Sequence, residues 1–220
     1  MNVLLIDDHP MVNSGIAGIL EETGRFKVTG QANTLKEAIQ FIEAKQSEER
    51  QSIKAKQSTE VNINTFPSLI ILDIMLGEEN GLDFLPFLKK FCKSNEIKKP
   101  PVLVCSVLDE PFRIQSALEM GATGYISKAG SKTELLEAIN TVLRGETYIS
   151  GEHSAKVVKS YGLYSKFTKR EMEILNLVKK NKSNKQIADE LSLSIRTIEN
   201  HISNIYYKAG TKDRQGLLKL

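Results

Sequence analysis

Side chains that could do chemistry together stand at the carboxyl ends of predicted β-strands. Asp7 and Asp8 follow the apolar run "VLLI", and Asp73 follows "LIIL". Ser106 follows "VLVC", and Lys128 comes just after "GYIS". In a doubly wound parallel sheet these strand ends meet at one edge, so we expect the five side chains to converge.

Three carboxylates, an ammonium and a hydroxyl at one edge favour phosphoryl chemistry. Neighbouring carboxylates repel one another, and a hard divalent cation such as Mg²⁺, which prefers carboxylate and phosphate oxygens, relieves that repulsion. The ammonium adds a fixed positive charge, and the hydroxyl can reach a bound anion. The set is therefore suited to accepting a phosphoryl group on one nucleophilic carboxylate.

A simpler role for each aspartate is to cap the helix or turn that follows its strand. That role accounts for any one of the three. It accounts poorly for all five positions standing at the correct strand ends.

Short apolar segments alternate with amphipathic segments over the first part of the chain. The segments at 3–6, 26–30, 69–72, 102–105 and 124–127 are short and rich in β-branched residues, which is typical of strands. Between them, apolar residues recur at helical spacing. This alternation predicts an α/β domain over residues 1–144, with a doubly wound five-stranded parallel sheet.

Two polar stretches interrupt this pattern. Residues 45–65 are polar, and they are either an extension of the second helix or a flexible loop; a tolerated surface insertion is the simpler interpretation, and a partner-specific contact is the alternative. Residues 145–165 contain three glycines and four serines with weak periodicity, which predicts a linker. Residues 166–220 show only helical patterns.

Composition is that of an ordinary globular protein, with 40% hydrophobic and 26% charged residues. We expect no signal peptide and no membrane span, and the two cysteines are too few for a disulfide framework or a metal site, which favours a cytoplasmic protein. Residues 1–128 contain 14 basic and 17 acidic side chains, and residues 129–220 contain 16 and 10. A basic second part suggests a polyanionic partner.

The motifs "LLIDDHP", "IILDIML", "VLVCS" and "GATGYISKAG" resemble, in order, the receiver domain of bacterial two-component response regulators. The resemblance covers residues 1 to about 128 and implies a flavodoxin-like fold. By that resemblance, Asp73 is the phosphoacceptor and Lys128 pairs with the phosphoryl group. Asp8 would bind Mg²⁺ directly, Asp7 largely through water, Asp73 as a further ligand, and Met75 through its backbone carbonyl.

The same resemblance makes Ser106 and Tyr125 a switch pair, in which the hydroxyl moves toward the phosphoryl group and the aromatic ring turns inward. Two features depart from the usual pattern: Leu76 stands where proline is common, and the spacing from Asp8 to Asp73 is long. Neither removes a chemical group from the site.

The second part has the outline of a helix-turn-helix. Ser183 and Ser194 begin two helices, and Ile198, Ile202 and Ile205 form an inward stripe on the second. We expect the outer face of this helix and nearby basic residues to contact DNA. The predicted contacts are Lys182, Asn184, Lys185, Arg196, Thr197, Glu199, Asn200, Ser203 and Lys208. A plain helical bundle with a solvated face is the alternative.

Residues 167–214 resemble the LuxR-type DNA-binding domain, which with the receiver indicates the NarL/FixJ class of response regulators. Glu199 stands where that family often has lysine; it can accept a hydrogen bond from cytosine N4, and Asn200 can pair with adenine. The resemblance implies a sensor histidine kinase and double-stranded DNA as partners, with a homodimer formed on phosphorylation.

We therefore expect a phosphorylation-dependent transcription regulator that is not an enzyme. An aspartate-nucleophile phosphatase is one alternative, but it needs a second acid where Met75 stands. The other alternative is an orphan regulator that binds DNA without phosphorylation.

Overall fold

The computed structural model describes residues 1–55, 65–108, 110–151 and 166–218, except for the side chains of residues 49–55, 112 and 169. The chain divides into two compact units, Met1–Ser154 and Ala155–Leu220. Most of the predicted 145–165 linker lies outside the described residues, so the exact domain boundaries stay predictions.

The first unit is built on a parallel sheet. Its strands within the described residues are β1 (Asn2–Ile6), β2 (Lys27–Ala32), β3 (Leu69–Leu72), β6 (Val102–Ser106), β7 (Gly124–Ser127) and β8 (Tyr148–Ile149). They lie in the order β2-β1-β3-β6-β7-β8, and every neighbouring pair is parallel. All four residues of β3 and all five of β6 are buried, as expected of central strands covered on both faces. The doubly wound α/β prediction is confirmed.

Helices connect these strands. They are α1 (Pro10–Glu22), α2 (Leu35–Ala55), α3 (Phe84–Ser94), α4 (Pro111–Met120) and α5 (Lys132–Leu143). Pro10 begins α1 because its fixed φ suits the first helical position, where no amide donor is needed. Ser131 caps α5 by accepting a hydrogen bond from the amide of Glu134.

The sheet has one more strand than the five predicted. Tyr148 and Ile149, which were placed in the linker, pair in parallel with Gly124 and Tyr125 at the sheet edge. Two residues are too few to produce a periodic pattern. Backbone hydrogen bonds specify this strand instead, and in one of them the amide of Tyr148 donates to the Thr123 carbonyl at 3.3 Å.

The polar stretch at 45–65 begins as helix. The second helix, α2, continues to Ala55, so helical extension is the correct alternative for its first half. Residues 56–64 lie outside the described residues, and the role of the insertion stays open to prediction.

A short hairpin follows the central strand β3. Its strands are β4 (Met75–Leu76) and β5 (Glu79–Asn80), which pair antiparallel around Gly77 and Glu78. Gly77 has a φ of +61°, a left-handed conformation that glycine adopts without strain. A 3₁₀ turn at Gly81–Asp83 then leads into α3.

The second unit is helical throughout its described residues. Its helices are α6 (Lys169–Lys179), α7 (Asn184–Glu190), α8 (Ile195–Ala209) and α9 (Arg214–Leu218). Thr168 and Ser183 form complete capping boxes with Glu171 and Gln186. The predicted stripe of Ile198, Ile202 and Ile205 is buried, which confirms the helix-turn-helix outline. Across the described residues of both units, no helix is long and apolar enough to cross a membrane.

Candidate functional site

The predicted strand-end side chains meet at one edge of the sheet. Nζ of Lys128 lies 2.6 Å from Oδ2 of Asp7 and 2.6 Å from Oδ2 of Asp73. Asp7 and Asp73 are buried and Asp8 is half-buried at the same edge. The structure therefore brings the three carboxylates and the ammonium together as the sequence analysis expected.

Backbone pairing fixes these positions. The amide of Asp73 donates to the Ile6 carbonyl at 2.8 Å, so the first residue after β3 lies beside the end of β1. The amide of Lys128 donates to the Ser106 carbonyl at 3.0 Å, which continues the β6–β7 ladder by one residue. Parallel strands in register thus carry residues distant in sequence to one place.

The ion pairs keep Lys128 charged. Burial alone would lower the pKa of its ammonium, but hydrogen bonds and charges from Asp7 and Asp73 outweigh burial and raise that pKa. A buried charge is tolerated only when it is paired in this way. Lys128 therefore provides a permanent positive charge between two carboxylates.

Helix capping does not describe the aspartates, although Oδ1 of Asp7 accepts the amide of His9 in the turn that follows β1. The N-cap residue of α1 is His9, whose side chain makes no cap hydrogen bond, and neither Asp7 nor Asp8 occupies that position. No helix begins at Asp73, since the hairpin follows it, and the 3₁₀ turn farther along is capped by Asn80. The clustering of the carboxylates has to be explained in another way.

Two residues at this site were missed by sequence reasoning. The amide of His9 donates to Oδ1 of Asp7 at 2.9 Å, and its Nδ1 lies 2.8 Å from Oδ1 of Asp8. Buried Asn13 donates from Nδ2 to the Asp7 carbonyl at 2.8 Å. His9 could have been noticed because it directly follows the paired acids; a lone polar residue inside α1 gave no comparable signal for Asn13.

The hairpin β4–β5 also contacts the site. The amide of Gly77 donates to Oδ2 of Asp8 at 2.9 Å, while Oε2 of Glu79 accepts from the amide of Leu35 at the start of α2. A Cβ on Gly81 would lie 2.0 Å from the Asp73 carbonyl oxygen, so only glycine fits there. The hairpin that contains Leu76, where the family commonly has proline, is thus anchored on both sides.

The geometry of the hairpin leaves the backbone of Met75 available. Met75 is paired with Asn80 and Leu76 with Glu79, and beside them the amide of Gly81 donates to the Ile74 carbonyl at 2.6 Å. Antiparallel pairs alternate, so Met75 belongs to a non-hydrogen-bonded pair and its carbonyl faces away from Asn80. This orientation is compatible with the predicted role of that carbonyl as a metal ligand.

The residues present fit a hard divalent cation. One ligand atom from each of Asp7, Asp8, His9 and Asp73 lies within 4.8 Å of all the others. Oδ1 of Asp73 is buried and has no hydrogen-bond partner among the described residues. A buried acceptor without a donor is costly, and carboxylate oxygens are the ligands that Mg²⁺ prefers.

The predicted switch pair is buried. Ser106 and Tyr125 are each 0% exposed, so the aromatic ring of Tyr125 already lies inward in this structure. Its hydroxyl donates to the carbonyl of Leu108, whose amide is 3.4 Å from Oγ of Ser106. Burial raises the pKa of Tyr125, so the phenol stays protonated and able to donate.

The outer face of α8 is exposed as predicted. Arg196, Glu199, Asn200 and Ser203 are all solvent-exposed, opposite the buried isoleucines. Thr197 is half-buried, and its Oγ1 lies 2.8 Å from Oγ of Ser194 within the helix cap. Thr197 therefore has a structural contact in addition to its predicted contact with DNA.

Several other predicted DNA contacts have partners inside the unit. Lys208 pairs with Glu171 at 2.6 Å, and Lys182 pairs with Glu190. Oδ1 of Asn184 accepts from Arg214 at 3.0 Å. Lys185 is exposed. Their roles toward DNA stay predictions, and the first three would have to exchange or share these partners to reach a phosphate.

The fold and the carboxylate cluster together define a response regulator of the two-component type. Residues 3–140 match the family model for the response regulator receiver domain, and residues 165–220 match that for bacterial regulatory proteins of the luxR family. The chain belongs to this LuxR-type family of response regulators.

Two relatives match this chain over more than nine-tenths of their own length. The transcriptional regulatory protein LiaR of Bacillus subtilis (strain 168) is 28% identical over 221 residues, spanning 97% of this chain and 93% of LiaR. The response regulator protein VraR of Staphylococcus aureus (strain NCTC 8325 / PS 47) is 31% identical over 218 residues, spanning 97% of this chain and 92% of VraR.

Solved structures share the fold. A structure of the RcsB response regulator of Salmonella typhimurium, described as showing conformational dynamism for DNA interaction, aligns with a TM-score of 0.61 and 22% identity, covering 100% of this chain and 98% of that one. A complex of the response regulator RcsB with DNA aligns with a TM-score of 0.58 and 21% identity, covering 100% of this chain and 96% of that one.

Proposed function

We propose that Asp73 accepts a phosphoryl group from a sensor histidine kinase, and that this modification controls binding of the second unit to double-stranded DNA. One observation carries the proposal. Lys128 holds Oδ2 of Asp73, while the buried Oδ1 of the same carboxylate has no partner among the described residues.

Asp73 is the nucleophile: one of its carboxylate oxygens would attack phosphorus, and the other would stay available to the cation. As the new P–O bond forms, the P–N bond to the histidine of the kinase breaks and its electron pair returns to the imidazole. Lys128 stabilises the charge on the transferred group, because its ammonium already lies at the carboxylate that receives it. The product is an acyl phosphate on Asp73.

Asp7, Asp8, Asp73 and the Met75 carbonyl would hold Mg²⁺. When bound, this cation neutralises charge on the phosphoryl oxygens and on the carboxylates. His9 and Asn13 orient the turn that carries Asp7 and Asp8, through hydrogen bonds to the Asp7 side chain and carbonyl.

The switch lies in the segment after β6. Modification of Asp73 adds about one unit of negative charge beside Ser106, whose hydroxyl can donate to a phosphoryl oxygen. Ser106 and Leu108 are linked by the Leu108 amide, and Leu108 is linked to Tyr125 through its carbonyl. A movement of Ser106 is therefore transmitted to Tyr125 and to the surface around it.

The second unit supplies the output. Its exposed face on α8 has the polar character needed to read base edges, and a two-fold operator would require a homodimer of the phosphorylated chain. RcsB, which shares the fold, is described in complex with DNA. We place this activity in the cytoplasm, where a DNA regulator and its kinase meet, and assign no hydrolytic enzyme activity.

The intact mass of the full chain, after incubation with acetyl phosphate and Mg²⁺, tests the phosphoacceptor. We expect one added phosphoryl group on the wild type and on Asp83→Asn, an exposed control carboxylate, and none on Asp73→Asn. Addition to Asp73→Asn would refute the assignment of the site.

DNA binding with and without acetyl phosphate then tests the control step. We expect tighter binding of the phosphorylated wild type to duplexes selected from a random library. Equal affinity of wild type and Asp73→Asn would favour the orphan regulator, and catalytic turnover of phosphate esters would favour the phosphatase.

A further inference from the structure

A bulky apolar side chain is exposed at the start of α8. Ile195 is the first residue of this helix, and 46% of its surface is accessible. An isolated exposed apolar residue needs no explanation on an ordinary surface. This one stands at the N-terminal end of the second helix of a helix-turn-helix, where base-edge contacts are made.

Ile195 lies outside the fully buried stripe of α8, although its spacing places it beside Ile198 and Ile202 on the helix. The buried stripe of α8 consists of Ile198, Ile202 and Ile205, all on the opposite side of the helix from Arg196 and Asn200. Ile195 lies between the two sides, at the edge of the polar face.

The helix cap holds Ile195 in a defined position. Oγ of Ser194 accepts a hydrogen bond from the amide of Thr197 at 3.0 Å, which fixes the first turn of α8. The side chain is β-branched and has restricted rotamers in a helix. A conformationally restricted apolar group is therefore exposed at the N-terminal end of α8.

We infer that Ile195 reads the 5-methyl group of a thymine in the major groove, and this inference rests on the proposed DNA-binding function. An isoleucine side chain has no hydrogen-bonding group, and the thymine methyl is the one apolar feature that base pairs present in the major groove.

The spacing between Ile195 and Glu199 predicts where this thymine lies in the half-site. It is one helical turn beyond Ile195, so the two Cβ atoms are about 6 Å apart along the same side of the helix. Successive base pairs are about 3.4 Å apart, so the two side chains address positions one or two base pairs apart. The inferred half-site has a thymine within two base pairs of the cytosine that Glu199 contacts.

Replacing thymine by uracil removes only the methyl group. A duplex is first selected from a random library with the phosphorylated full chain. Each thymine of that duplex is then replaced singly by uracil, and affinity is measured for wild type and Ile195→Ala. We expect one position per half-site at which uracil weakens wild-type binding by about fourfold, the value for burying one carbon group.

Combining the thymine-to-uracil replacement in the DNA with Ile195→Ala in the protein identifies the contact. At that position, Ile195→Ala should bind the thymine and uracil duplexes equally, while at every other thymine the two proteins should respond alike. Leu218→Ala, which truncates another exposed apolar side chain of the unit, should behave as wild type.

The outcomes separate this inference from the proposed function. If no duplex is selected, DNA binding itself fails. If duplexes bind but no uracil position distinguishes wild type from Ile195→Ala, DNA binding stands and the methyl contact is refuted. A uniform loss of affinity in Ile195→Ala for all duplexes would likewise refute it, because a protein–protein contact or general packing would then explain the exposed side chain.

Discussion

Lys128 and Asp73 form a 2.6 Å ion pair in which 9% and 1% of the two side chains are exposed. The same ammonium lies 2.6 Å from Asp7, so one cation separates two carboxylates that would otherwise repel each other at close range. Lys128 is therefore a structural part of the unmodified site as well as the proposed partner of the phosphoryl group.

Lys128→Met should destabilise the protein in the absence of divalent cations. Removing one partner from a buried ion pair leaves uncompensated charge, and we expect the free energy of unfolding to fall by about 3–5 kcal/mol. Mg²⁺ should restore part of this loss, since it can neutralise the same carboxylates. Urea unfolding with and without MgCl₂ measures both effects.

A surface pair provides the control for that measurement. Lys132→Met removes an ion pair with Glu22 in which both side chains are well exposed, and it should cost less than about 1 kcal/mol with no Mg²⁺ dependence. Equal losses in the two variants would contradict the role assigned to Lys128.

The phosphorylated protein should lose its phosphoryl group slowly. By the family resemblance, the residues two beyond the phosphoacceptor and two beyond the switch hydroxyl influence attack by water, and here they are Met75 and Leu108. Neither side chain can orient a water molecule by hydrogen bonding. We expect the acyl phosphate to persist for many minutes or longer, as followed by intact mass after removal of acetyl phosphate.

Met75→Asn is the informative variant for this rate. Its amide can hold a water molecule near the acyl phosphate, and the side chain of Met75 is partly exposed, so the substitution is tolerated by the fold. We expect faster loss of phosphate than in the wild type. A half-life of seconds for the wild-type protein would be inconsistent with the apolar environment proposed here.

Much of the site could be predicted from the sequence, because a parallel sheet brings the residues at the carboxyl ends of its strands together. Once Asp7, Asp73 and Lys128 were assigned to strand ends, sheet geometry required them to meet. The edge strand at Tyr148–Ile149 could not be predicted in the same way, because two residues carry no alternation and their pairing is decided by backbone contacts with a distant segment.

The pairing of polar side chains from distant parts of the chain was the other feature that the sequence did not predict. Lys208 and Asn184 were interpreted as DNA contacts from their types and positions, yet their partners Glu171 and Arg214 lie 37 and 30 residues away along the chain. Helical periodicity shows which face a residue occupies, and it does not show which distant side chain reaches it.

Tyr125→Phe should separate the ring from the hydroxyl in the switch. The ring stays buried, but the Leu108 carbonyl loses its donor, and we expect the free energy of unfolding to fall by about 1 kcal/mol. The increase in DNA affinity on phosphorylation should also shrink, because Ser106 and Tyr125 are no longer linked. Tyr148→Phe, at a half-buried edge position, should leave that increase unchanged.

Glu171 should make the second unit sensitive to acid. Burial alone would raise the pKa of this carboxyl, but hydrogen bonds from Lys208 and from the amide and side chain of Thr168 outweigh burial and lower it. Since the folded pKa lies below the unfolded value, the stabilisation is complete above about pH 4.5 and is lost as the pH falls through the folded pKa.

Glu171→Gln tests this linkage. The variant should be less stable than wild type at pH 7, and the difference should narrow as the pH is lowered below about 5, as measured by thermal unfolding at each pH. Glu173→Gln breaks the more exposed pair with Arg170 and should show a much smaller change. A constant difference between wild type and Glu171→Gln at all pH values would mean that the glutamate acts by packing alone.

Glu199→Lys should change which bases are preferred without abolishing binding. Glu199 is exposed on α8, and among the described residues no hydrogen bond or ion pair of its side chain holds the helix, so we expect the substitution to leave the fold intact. A carboxylate accepts from cytosine N4, whereas an ammonium donates to guanine O6 and N7, so the preferred base at the contacted position should move from cytosine to guanine on the same strand.

Selection of duplexes from a random library by wild type and Glu199→Lys measures this change. Because lysine also attracts phosphates, total affinity should rise at low salt, and only the base preference distinguishes specific contact from general attraction. Lys185→Glu, on the exposed surface of α7, serves as the opposite control: it should weaken binding to all sequences alike. Identical preferences for wild type and Glu199→Lys would show that residue 199 does not face the bases.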